Sequence, residues 1–546
     1  MKFMKLGSKP DMFQTDNNGV RYVASELPTD IVIRVGEKKF HLHKFPLQSK
    51  SNHLQKLIAK ADEEKSNEIH MPDFPAGPKA FEICAKFCYD MIVTLNAYNI
   101  VAARCAAEYL GMTEDVDQGN LVMKTDAFFN SCILRGWKDS IIALKTTKSI
   151  LPYAKDLKIV RRCIDSIASR ASVDPLNVSW SYTYKKRATA VEIDENWVEI
   201  QKKSRVVPKD WWIEDVLELE IDLYKQVILA IKSKERMPIG VIGQAIKAYA
   251  VSWLPNSFGS MASDDNAHKC RVLVEAIVSL LPSNEGICIS SSFLLKLLKF
   301  AVSVQACDAL KEELVKRISL RLNEASAKDL LIPAQSPDTT RYDAGLVQTI
   351  VNQFVTRYTH IQDSDYSENN EKSPEDFVVK PGSWLIVGKL IDSYLAEIAR
   401  DPKLPRSSFI ELAQSIPKSA RPVHDRLYKA VDVFLKEHPS LDKTERKEIC
   451  ALIDVEKLSL EASKHAAQNE RLPLRMIVQV VYFRQLRAAA GGPKGPQAAP
   501  SSNLCASKAE ENAGRTVRED MKLLKKQMKD AKLIDHGEHQ IDNQIQ

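Results

Sequence analysis

The stretch from Leu441 to Arg487 constrains this chain more than any other, because it holds two helical patterns on either side of an unusually polar connection. Thr444 stands where an N-cap is expected, although Lys447 occupies the position at which a capping box has Glu. The connection reads HAAQNERLP, and Pro473 suits the first turn of the second helix. The apolar positions at helical spacing are Ile449, Leu452, Ile453 and Leu460, then Met476, Ile477, Val480, Val481 and Phe483. The stretch predicts packed helices and contains no catalytic motif.

Length and charge narrow the class of protein. The chain has 546 residues, which exceeds one ordinary core and predicts roughly two to four domains. Lys and Arg number 77 against 71 Asp and Glu, a net charge of +6 that lacks the clustered basicity of nucleic-acid binding. We therefore expect no nucleic-acid partner.

Cysteine usage and hydropathy indicate an intracellular protein. Of the ten cysteines only Cys84 and Cys88 lie close together, which predicts reduced thiols. The longest apolar run, SSFLLKLLKFAVSVQA, is interrupted by Lys296 and Lys299 and is shorter than the ~18 uninterrupted residues of a membrane span. The expected localisation is the cytoplasm, and peripheral attachment to the plasma membrane is a further option.

Strand and helix patterns alternate only near the N-terminus. A polar lead, residues 1–28, is expected to be loose, and Ile31, Ile33 and Val35 then alternate before a GEKK turn in the pattern of a hairpin. A polar helix, the strand EIHM and an apolar-faced helix around Phe81 follow, so the module is α+β. The pair His41 and His43 share a strand face but supply too few ligands for zinc.

The remainder reads as helical. Residues 116–171 form a helical extension, 172–208 a linker, and 209–487 a large all-α domain of stacked helices with a mobile acidic loop at 362–376. Trp211 and Trp212 are core anchors of which one should be buried and one half-exposed, since neighbours on a helix diverge by ~100 degrees; a ligand platform is the alternative. Helices are predicted at His268–Leu281, Ser290–Val304, Asp308–Asn323, Asp343–Ile361, Ser383–Arg400, Pro405–Ser415 and Asp425–His438.

The C-terminal tail differs from the rest in composition. Residues 488–515 are rich in Gly, Pro, Ala and Ser and predict a disordered linker. Residues 516–534 predict a short amphipathic or coiled-coil helix whose apolar positions step by four and three. Its basic positions, which are candidates for contact with anionic lipid, are Lys522, Lys525, Lys526, Lys529 and Lys532.

The sequence contains no complete catalytic motif. GSWLIVGKL approaches a phosphate-binding loop, but five residues rather than four separate Gly382 from Gly388, and Leu390 replaces the Ser or Thr that would reach magnesium. The carboxylates of WWIEDVLELEIDLY are expected on a solvated helix face, with a paired acid and base as the alternative. The sequence predicts no enzyme, no cofactor and no metal site.

The quoted residues carry a family resemblance. HAAQNERLPLRMIVQVVYFRQL, WWIEDVLELEIDLYKQVILAIK and VIGQAIKAYA resemble the signature domain of the plant phototropism-signalling family of BTB/POZ proteins, the non-phototropic-hypocotyl and root-phototropism type. IHMPDFPAGPKAFEICAKFCYD resembles a BTB/POZ domain over residues 29–115. The resemblance implies a mostly α protein, with an N-terminal α+β BTB/POZ domain before the large helical domain and the short amphipathic tail helix.

The family resemblance also implies a function. BTB domains of this kind are associated with cullin-based ubiquitin ligases, so the BTB domain is expected to bind a cullin and the helical domain a substrate protein. A non-enzymatic, membrane-proximal scaffold for signalling kinases is the alternative, and dimerisation through the BTB domain stays open. Cullin-binding BTB domains place a bulky apolar residue two before a glutamate, and the matching residues here are Ala61 and Glu63. With alanine at this position, the contact would lose most of the ~1.5 to 3 kcal/mol of binding free energy that burial of a large apolar side chain contributes.

Phosphorylation is expected at accessible sites near basic residues. Thr189 follows a basic cluster in the linker, and Ser407 and Ser408 follow a helix break at Pro405; unmodified solvated loops are the alternative. Tyr428 resembles a tyrosine that is phosphorylated in the family, although its pattern equally fits a packed helix residue. No serine or threonine follows Thr516, so a phosphoserine motif in the tail is not expected.

Overall fold

The computed structural model describes residues 1–16, 19–173, 209–255, 264–282, 289–334, 340–364 and 382–490. It divides into two compact units, one of Met1–Ser260 with Val272–Ile289 and one of Met261–Arg271 with Ser290–Gln546. The predicted linker at 172–208, most of the acidic loop at 362–376 and nearly all of the tail lie outside the described residues. The mostly helical architecture that follows an α+β module is confirmed.

The N-terminal module is built on a five-stranded sheet in the order β2-β3-β5-β4-β6, beside a separate pair of β1 and β7. The predicted hairpin is confirmed, since β4 and β5 are antiparallel with Ile33 opposite Phe40, and the predicted strand EIHM pairs in parallel with β4. Ile33, Phe40 and Leu42 are fully buried because alternate residues of each strand face the core. The strands are β1 (Phe3–Leu6), β2 (Phe13–Thr15), β3 (Arg21–Val23), β4 (Ile31–Val35), β5 (Lys38–Leu42), β6 (Glu68–Met71) and β7 (Val93–Asn96).

The lead is ordered, contrary to the prediction that residues 1–28 are loose. β1 lies antiparallel to β7, and β2 and β3 extend the main sheet. Lys86 of the third helix binds Asp11 (2.5 Å) and Glu82 (2.9 Å), and Arg21 also pairs with Glu82. The partners of these strands and charged side chains are distant in the sequence. The polar composition of the lead therefore did not reveal that it is ordered.

Helices account for the rest of the module and its extension. Ser51 caps α2 by accepting a hydrogen bond from the Leu54 amide (3.1 Å), one residue ahead of the helix. The helices here are α1 (Lys44–Gln48), α2 (Asn52–Glu63), α3 (Gly77–Cys88), α4 (Ile100–Tyr109), α5 (Leu121–Phe128), α6 (Trp137–Thr146), α7 (Leu151–Asp156) and α8 (Ile159–Ala171).

The large helical domain follows the predicted pattern with shifts of a few residues at helix ends. Asp392 of α16 and Arg421 form a buried ion pair, and α16 packs along α18. The helices are α9 (Ile213–Val216), α10 (Ile221–Ser233), α11 (Ile239–Trp253), α12 (Asp264–Leu280), α13 (Ser291–Ser303), α14 (Asp308–Ser319), α15 (Ala344–Ser364), α16 (Ser383–Ile398), α17 (Arg406–Gln414), α18 (Asp425–Glu437), α19 (Lys443–Cys450), α20 (Leu460–Ala467) and α21 (Leu474–Ala490).

The stretch from Leu441 to Arg487 contains three helices rather than two. Asp442, not Thr444, is the N-cap of α19 and forms a full capping box with Glu445, through bonds of 2.7 and 3.0 Å. The apolar pattern then breaks at a short 3-10 turn, which the Asp454 carboxylate caps, and α20 restarts behind its own cap, Ser459. Each cap is a short polar side chain within the apolar pattern, so periodicity alone did not separate the two helices.

Both tryptophans of the pair are buried, which corrects the prediction that one is half-exposed. Trp211 is 6% and Trp212 0% exposed. The pair lies in a turn just before α9, so the divergence of neighbours on a regular helix does not apply. Trp137 of α6 packs its ring against Trp211 at 4.7 Å between centroids and donates from Nε1 to the Asp215 carboxylate (2.7 Å). The tryptophans are core anchors.

Candidate protein-interaction surfaces

The first candidate surface surrounds α1 of the BTB-like module. Phe45 is 80% exposed and Leu27, in the preceding loop, is 70% exposed. His43 ties the two segments together, since its Nε2 lies 3.1 Å from the Leu27 carbonyl and its Nδ1 lies 3.1 Å from the Tyr89 hydroxyl. A carbonyl only accepts, so Nε2 carries the proton and Nδ1 accepts from Tyr89. The exposed aromatic ring therefore stands on a segment held in place at His43.

Charged side chains adjoin this aromatic residue. Lys44 Nζ pairs with the Asp62 carboxylate at 2.5 Å, which connects the start of α1 to the last turn of α2. Glu63, the next residue, is exposed. We call Leu27, Lys44, Phe45, Asp62 and Glu63 the Phe45 surface. It combines a large apolar side chain with free carboxylate, the chemistry of a protein contact rather than of a catalytic site.

Ala61 does not belong to this surface. Its side chain is 6% exposed and packs in the core of the module with neighbours such as Ile58. The predicted apolar contact residue therefore points inward, because positions 58 and 61 share the buried stripe of α2. Glu63 is exposed, and Phe45 supplies the exposed apolar area that Ala61 does not.

The second candidate surface is the polar connection between α20 and α21. Asn469 is 6% exposed and donates from Nδ2 to the Asp432 carboxylate (2.6 Å) and to the Tyr428 hydroxyl (3.1 Å). Its Oδ1 accepts from the Arg471 amide at 3.1 Å, and Arg471 Nη1 binds Asp432 at 2.9 Å. Each polar group of the Asn469 side chain is thus engaged, which fixes the connection as a defined turn.

This turn borders an open cavity of about 380 Å³. The lining residues are His465, Gln468, Asn469, Glu470 and Arg471. Gln468 and Glu470 are exposed, so the rim offers an amide and a carboxylate above a fixed floor. A cavity with these groups can accept and donate hydrogen bonds to an extended peptide, and it lacks a nucleophile paired with a base.

The structure separates the predicted phosphosites by accessibility. Tyr428 is 4% exposed, and its hydroxyl donates to His465 Nδ1 at 2.5 Å. Burial raises the pKa of Tyr428 to about 12, so the hydroxyl stays protonated as this bond requires. Tyr428 is thus a packed helix residue, whereas Ser407 is exposed and Ser408 half-buried in the first turn of α17. Thr189 and the candidate lysines Lys522, Lys525, Lys526, Lys529 and Lys532 lie outside the described residues.

The segment that approached a phosphate-binding loop is helical. α16 begins at Ser383, and Gly388 lies within it rather than in a loop. A Cβ on Gly388 would stand 2.6 Å from the Ala420 carbonyl oxygen, so glycine is required by close backbone packing. The helical interpretation is confirmed.

The acidic side chains after Trp212 have separate structural partners. Glu218 pairs with Lys145 at 2.8 Å and Glu220 with Lys148 at 2.5 Å, while Asp215 accepts from Trp137. These contacts join the start of the large domain to the α6 region. Within the described residues no group of three or more His, Cys, Asp and Glu is arranged to hold a metal ion, and no helix is long and apolar enough to cross a membrane.

Comparison with known proteins agrees with the two modules. Residues 22–126 match the BTB/POZ domain model and residues 210–463 match the NPH3 family model. The phototropic-responsive NPH3 family protein NPY1 of Arabidopsis thaliana is 51% identical over 529 residues, covering 96% of this chain and 88% of that protein. Root phototropism protein 3 of the same plant is 35% identical over an alignment 576 positions long, covering 88% of this chain and 77% of that protein. No solved structure matches.

Proposed function

The chain belongs to the NPH3 family and carries its BTB/POZ domain, and on that premise we propose that it is a substrate-specific adaptor of a cullin-based ubiquitin ligase in phototropic signalling. The BTB domain mediates a protein–protein interaction, and its proposed partner is the cullin. The large helical domain would hold the substrate protein. No step of this role requires chemistry by the chain itself.

The Phe45 surface carries the cullin part of the proposal. A phenylalanine that is 80% exposed has no role in the core of its own module, and its burial by a partner would contribute about 1.5 to 3 kcal/mol. Glu63 and the Lys44–Asp62 pair provide a charged rim that can orient the partner. This assignment replaces Ala61 as the apolar contact and retains Glu63.

The polar cavity beside Asn469 supports the substrate part. Its floor is fixed by hydrogen bonds to Asp432 and Tyr428, and its rim carries the exposed side chains of Gln468 and Glu470. Such a preorganised polar site favours an extended peptide segment over an apolar helix, because the groups that line it are donors and acceptors.

Affinity purification from plant tissue tests the proposal. The bait is the tagged full chain as wild type, as Phe45→Ala, and as Phe3→Ala, the matched control in which a phenylalanine that is 66% exposed is removed elsewhere in the same module. We expect a cullin with the wild type and with Phe3→Ala, and its loss with Phe45→Ala. Recovery of signalling kinases without a cullin would instead support the non-enzymatic scaffold.

We also propose that the tail contacts anionic membrane at the cytoplasmic face of the plasma membrane. The five lysines of residues 516–534 would each contribute on the order of 1 kcal/mol near such a surface. Sedimentation of residues 488–546, fused to a soluble carrier, with phosphatidylserine vesicles should show binding at low salt that fades as salt rises. Equal recovery with neutral vesicles, or no recovery with either kind of vesicle, would contradict the lipid contact.

Phosphorylation is proposed at Ser407, Ser408 and Thr189, and at Tyr428 only after local opening of α18. Ser407 is exposed, whereas the Tyr428 hydroxyl is enclosed by His465 and Asn469. Mass-spectrometric mapping that covers these peptides should detect modification at Ser407 before Tyr428. Full coverage without modification at any of the four would remove the proposal.

A further inference from the structure

The helix α21 is apolar on two opposite faces. Its inner face is buried, with Met476, Ile477, Val480 and Val481 at most 6% exposed. Its outer face carries a second apolar row at every fourth residue, which we call the α21 ridge: Leu474, Val478, Tyr482 and Leu486, exposed by 36, 40, 56 and 45%. Single exposed apolar residues are ordinary, but four in one row on one helix face form a packing stripe.

We propose that the α21 ridge is covered by the chain's own C-terminal segment, residues 517–531. This segment has an apolar row on one helix face, at Val517, Met521, Leu524, Met528 and Ala531, which steps by four and three where the ridge steps by four. At 1.5 Å per residue the ridge is about 18 Å long and the segment, as a helix, about 21 Å long. The two stripes are therefore matched in length, and a row spaced by four can pack against a row spaced by four and three, as i±4 ridges do against i±3 grooves.

The length of chain between the two elements permits this docking. Residues 491–516 separate the end of α21 from Val517, and they are rich in Gly, Pro, Ala and Ser. Gly- and Ser-rich sequences of this length have a root-mean-square span of roughly 28 Å, which is longer than the ridge, so a segment tethered by one can lie along α21 in either direction. Tethering gives an effective concentration on the order of millimolar, which favours the chain's own tail over a second copy.

The charges of the two elements restrict how the segment can dock. Arg475 borders the ridge on α21, which has no carboxylate between positions 474 and 490, whereas Arg487 donates to the Val455 and Leu458 carbonyls on the other side of the helix. In the heptad that places the apolar row of the tail on one seam, Asp520 and Gln527 occupy one flank, the basic residues Arg518, Lys525 and Lys532 occupy the other, and Lys522, Lys526 and Lys529 lie away from the seam. Docking through the seam thus keeps these last three lysines in solvent, and it is favoured with the Asp520 flank rather than the basic flank beside Arg475.

The docked segment would withhold its apolar face from any other partner. A membrane that binds the tail through both lysines and apolar residues has to displace the tail from the α21 ridge. Only this competition between membrane and ridge rests on the lipid contact proposed above. The docking itself does not depend on that contact, since it uses the apolar seam and leaves Lys522, Lys526 and Lys529 free.

Hydrogen–deuterium exchange of the full chain tests the docking. We compare the wild type with Leu486→Lys on the ridge, Leu524→Lys in the tail, and Leu229→Lys, a control leucine on α10 with 46% exposure against 45% for Leu486. An isolated helix this short is marginal in water, so docking should slow amide exchange in peptides of residues 517–531 by about tenfold or more. The slowing should persist in Leu229→Lys and vanish in both other variants.

Two further comparisons distinguish docking of the chain's own tail from coverage of the ridge by a second copy, and from the lipid contact. Exchange at 1 μM and 20 μM protein, on the order of a twentyfold range, should be equal, because an intramolecular contact is independent of concentration. Lys522→Glu with Lys526→Glu should keep the slow exchange while reducing vesicle binding. Fast exchange in the wild type, slow exchange unchanged by Leu486→Lys, or slowing that grows with concentration would each overturn the proposal.

Discussion

Arg421 and Asp392 form a buried ion pair in the large helical domain, with Nε 2.8 Å from Oδ1 and side chains only 6% and 3% exposed. Arg421 Nη1 also donates to the Ala413 carbonyl at 2.6 Å, so one side chain holds the loop before α18 against both α16 and α17. Burial raises the pKa of Asp392, and the neighbouring Arg421 opposes that rise. The carboxylate therefore depends on its cation.

Removing only the cation should be far more harmful than replacing the pair. We expect Arg421→Ala to lower the free energy of unfolding by about 3 to 5 kcal/mol, because it leaves a buried carboxylate uncompensated. The double variant Arg421→Met with Asp392→Leu should recover most of that loss. Urea denaturation followed by circular dichroism measures both; equal destabilisation of the two variants would show that packing, not charge, dominates.

Gly388→Ala should destabilise the domain by about 1 to 3 kcal/mol, because the added methyl would stand 2.6 Å from the Ala420 carbonyl oxygen. Gly345→Ala is the matched control, since its Cβ would meet nothing closer than 3.6 Å in the first turn of α15. The control should be neutral or slightly stabilising in the same urea titration. A harmless Gly388→Ala would mean that the backbones are not in close contact.

Ala61→Met should reduce stability rather than strengthen cullin binding. The side chain at position 61 faces the core of the BTB domain, and three extra heavy atoms there cost about 1 to 3 kcal/mol by overpacking. Glu63→Ala, on the exposed side of the same helix, should leave the melting temperature unchanged. If Ala61→Met instead tightened binding at full stability, the register of α2 would have to be different.

Acid should destabilise the chain through His424. His424 is 4% exposed and accepts the Asp454 amide at Nδ1, and burial, with Lys457 and Arg421 adding to it, lowers its pKa to about 4 from the ordinary 6.5. Its contribution to stability is fully present above pH 6.5 and is lost as pH falls towards 4, because the unfolded chain binds the proton first.

The corresponding measurement is urea unfolding at pH 7.5 and pH 5. Between these conditions the wild type should lose about 1 to 2 kcal/mol more than His424→Gln, which cannot titrate but can still accept from Asp454. Identical losses in the two proteins would show that other groups account for acid sensitivity.

Local patterns in the sequence predicted most of the architecture. The hairpin around Gly36 and the helices from α13 to α18 followed from apolar spacing, because each buries a single stripe or face. The strands of the lead were not predicted, because β1 is held by pairing with β7 about ninety residues later and local patterns do not report such a distant partner. Trp211 and Trp212 were misjudged because the backbone there is a turn, and local periodicity carries no information about such a turn.

The candidate sites were less accessible to sequence reasoning. A resemblance placed the apolar cullin contact at Ala61, but inward or outward orientation depends on where the buried stripe of α2 runs, and that stripe includes Ala61. The signal for Phe45 was present in HLHKFPL, yet an aromatic residue in a short helix is more often buried than exposed. The polar connection was recognised, whereas its cavity arises from Asp432 and Tyr428 in another helix.

The adaptor account is tested most directly by isothermal titration calorimetry of the purified full chain with the N-terminal domain of a cullin. The account predicts that the wild type and Phe3→Ala bind alike and that Phe45→Ala binds roughly ten- to a hundredfold more weakly, with unchanged melting temperature. No heat of binding from the wild type, or equal affinity of Phe45→Ala and Phe3→Ala, would contradict it.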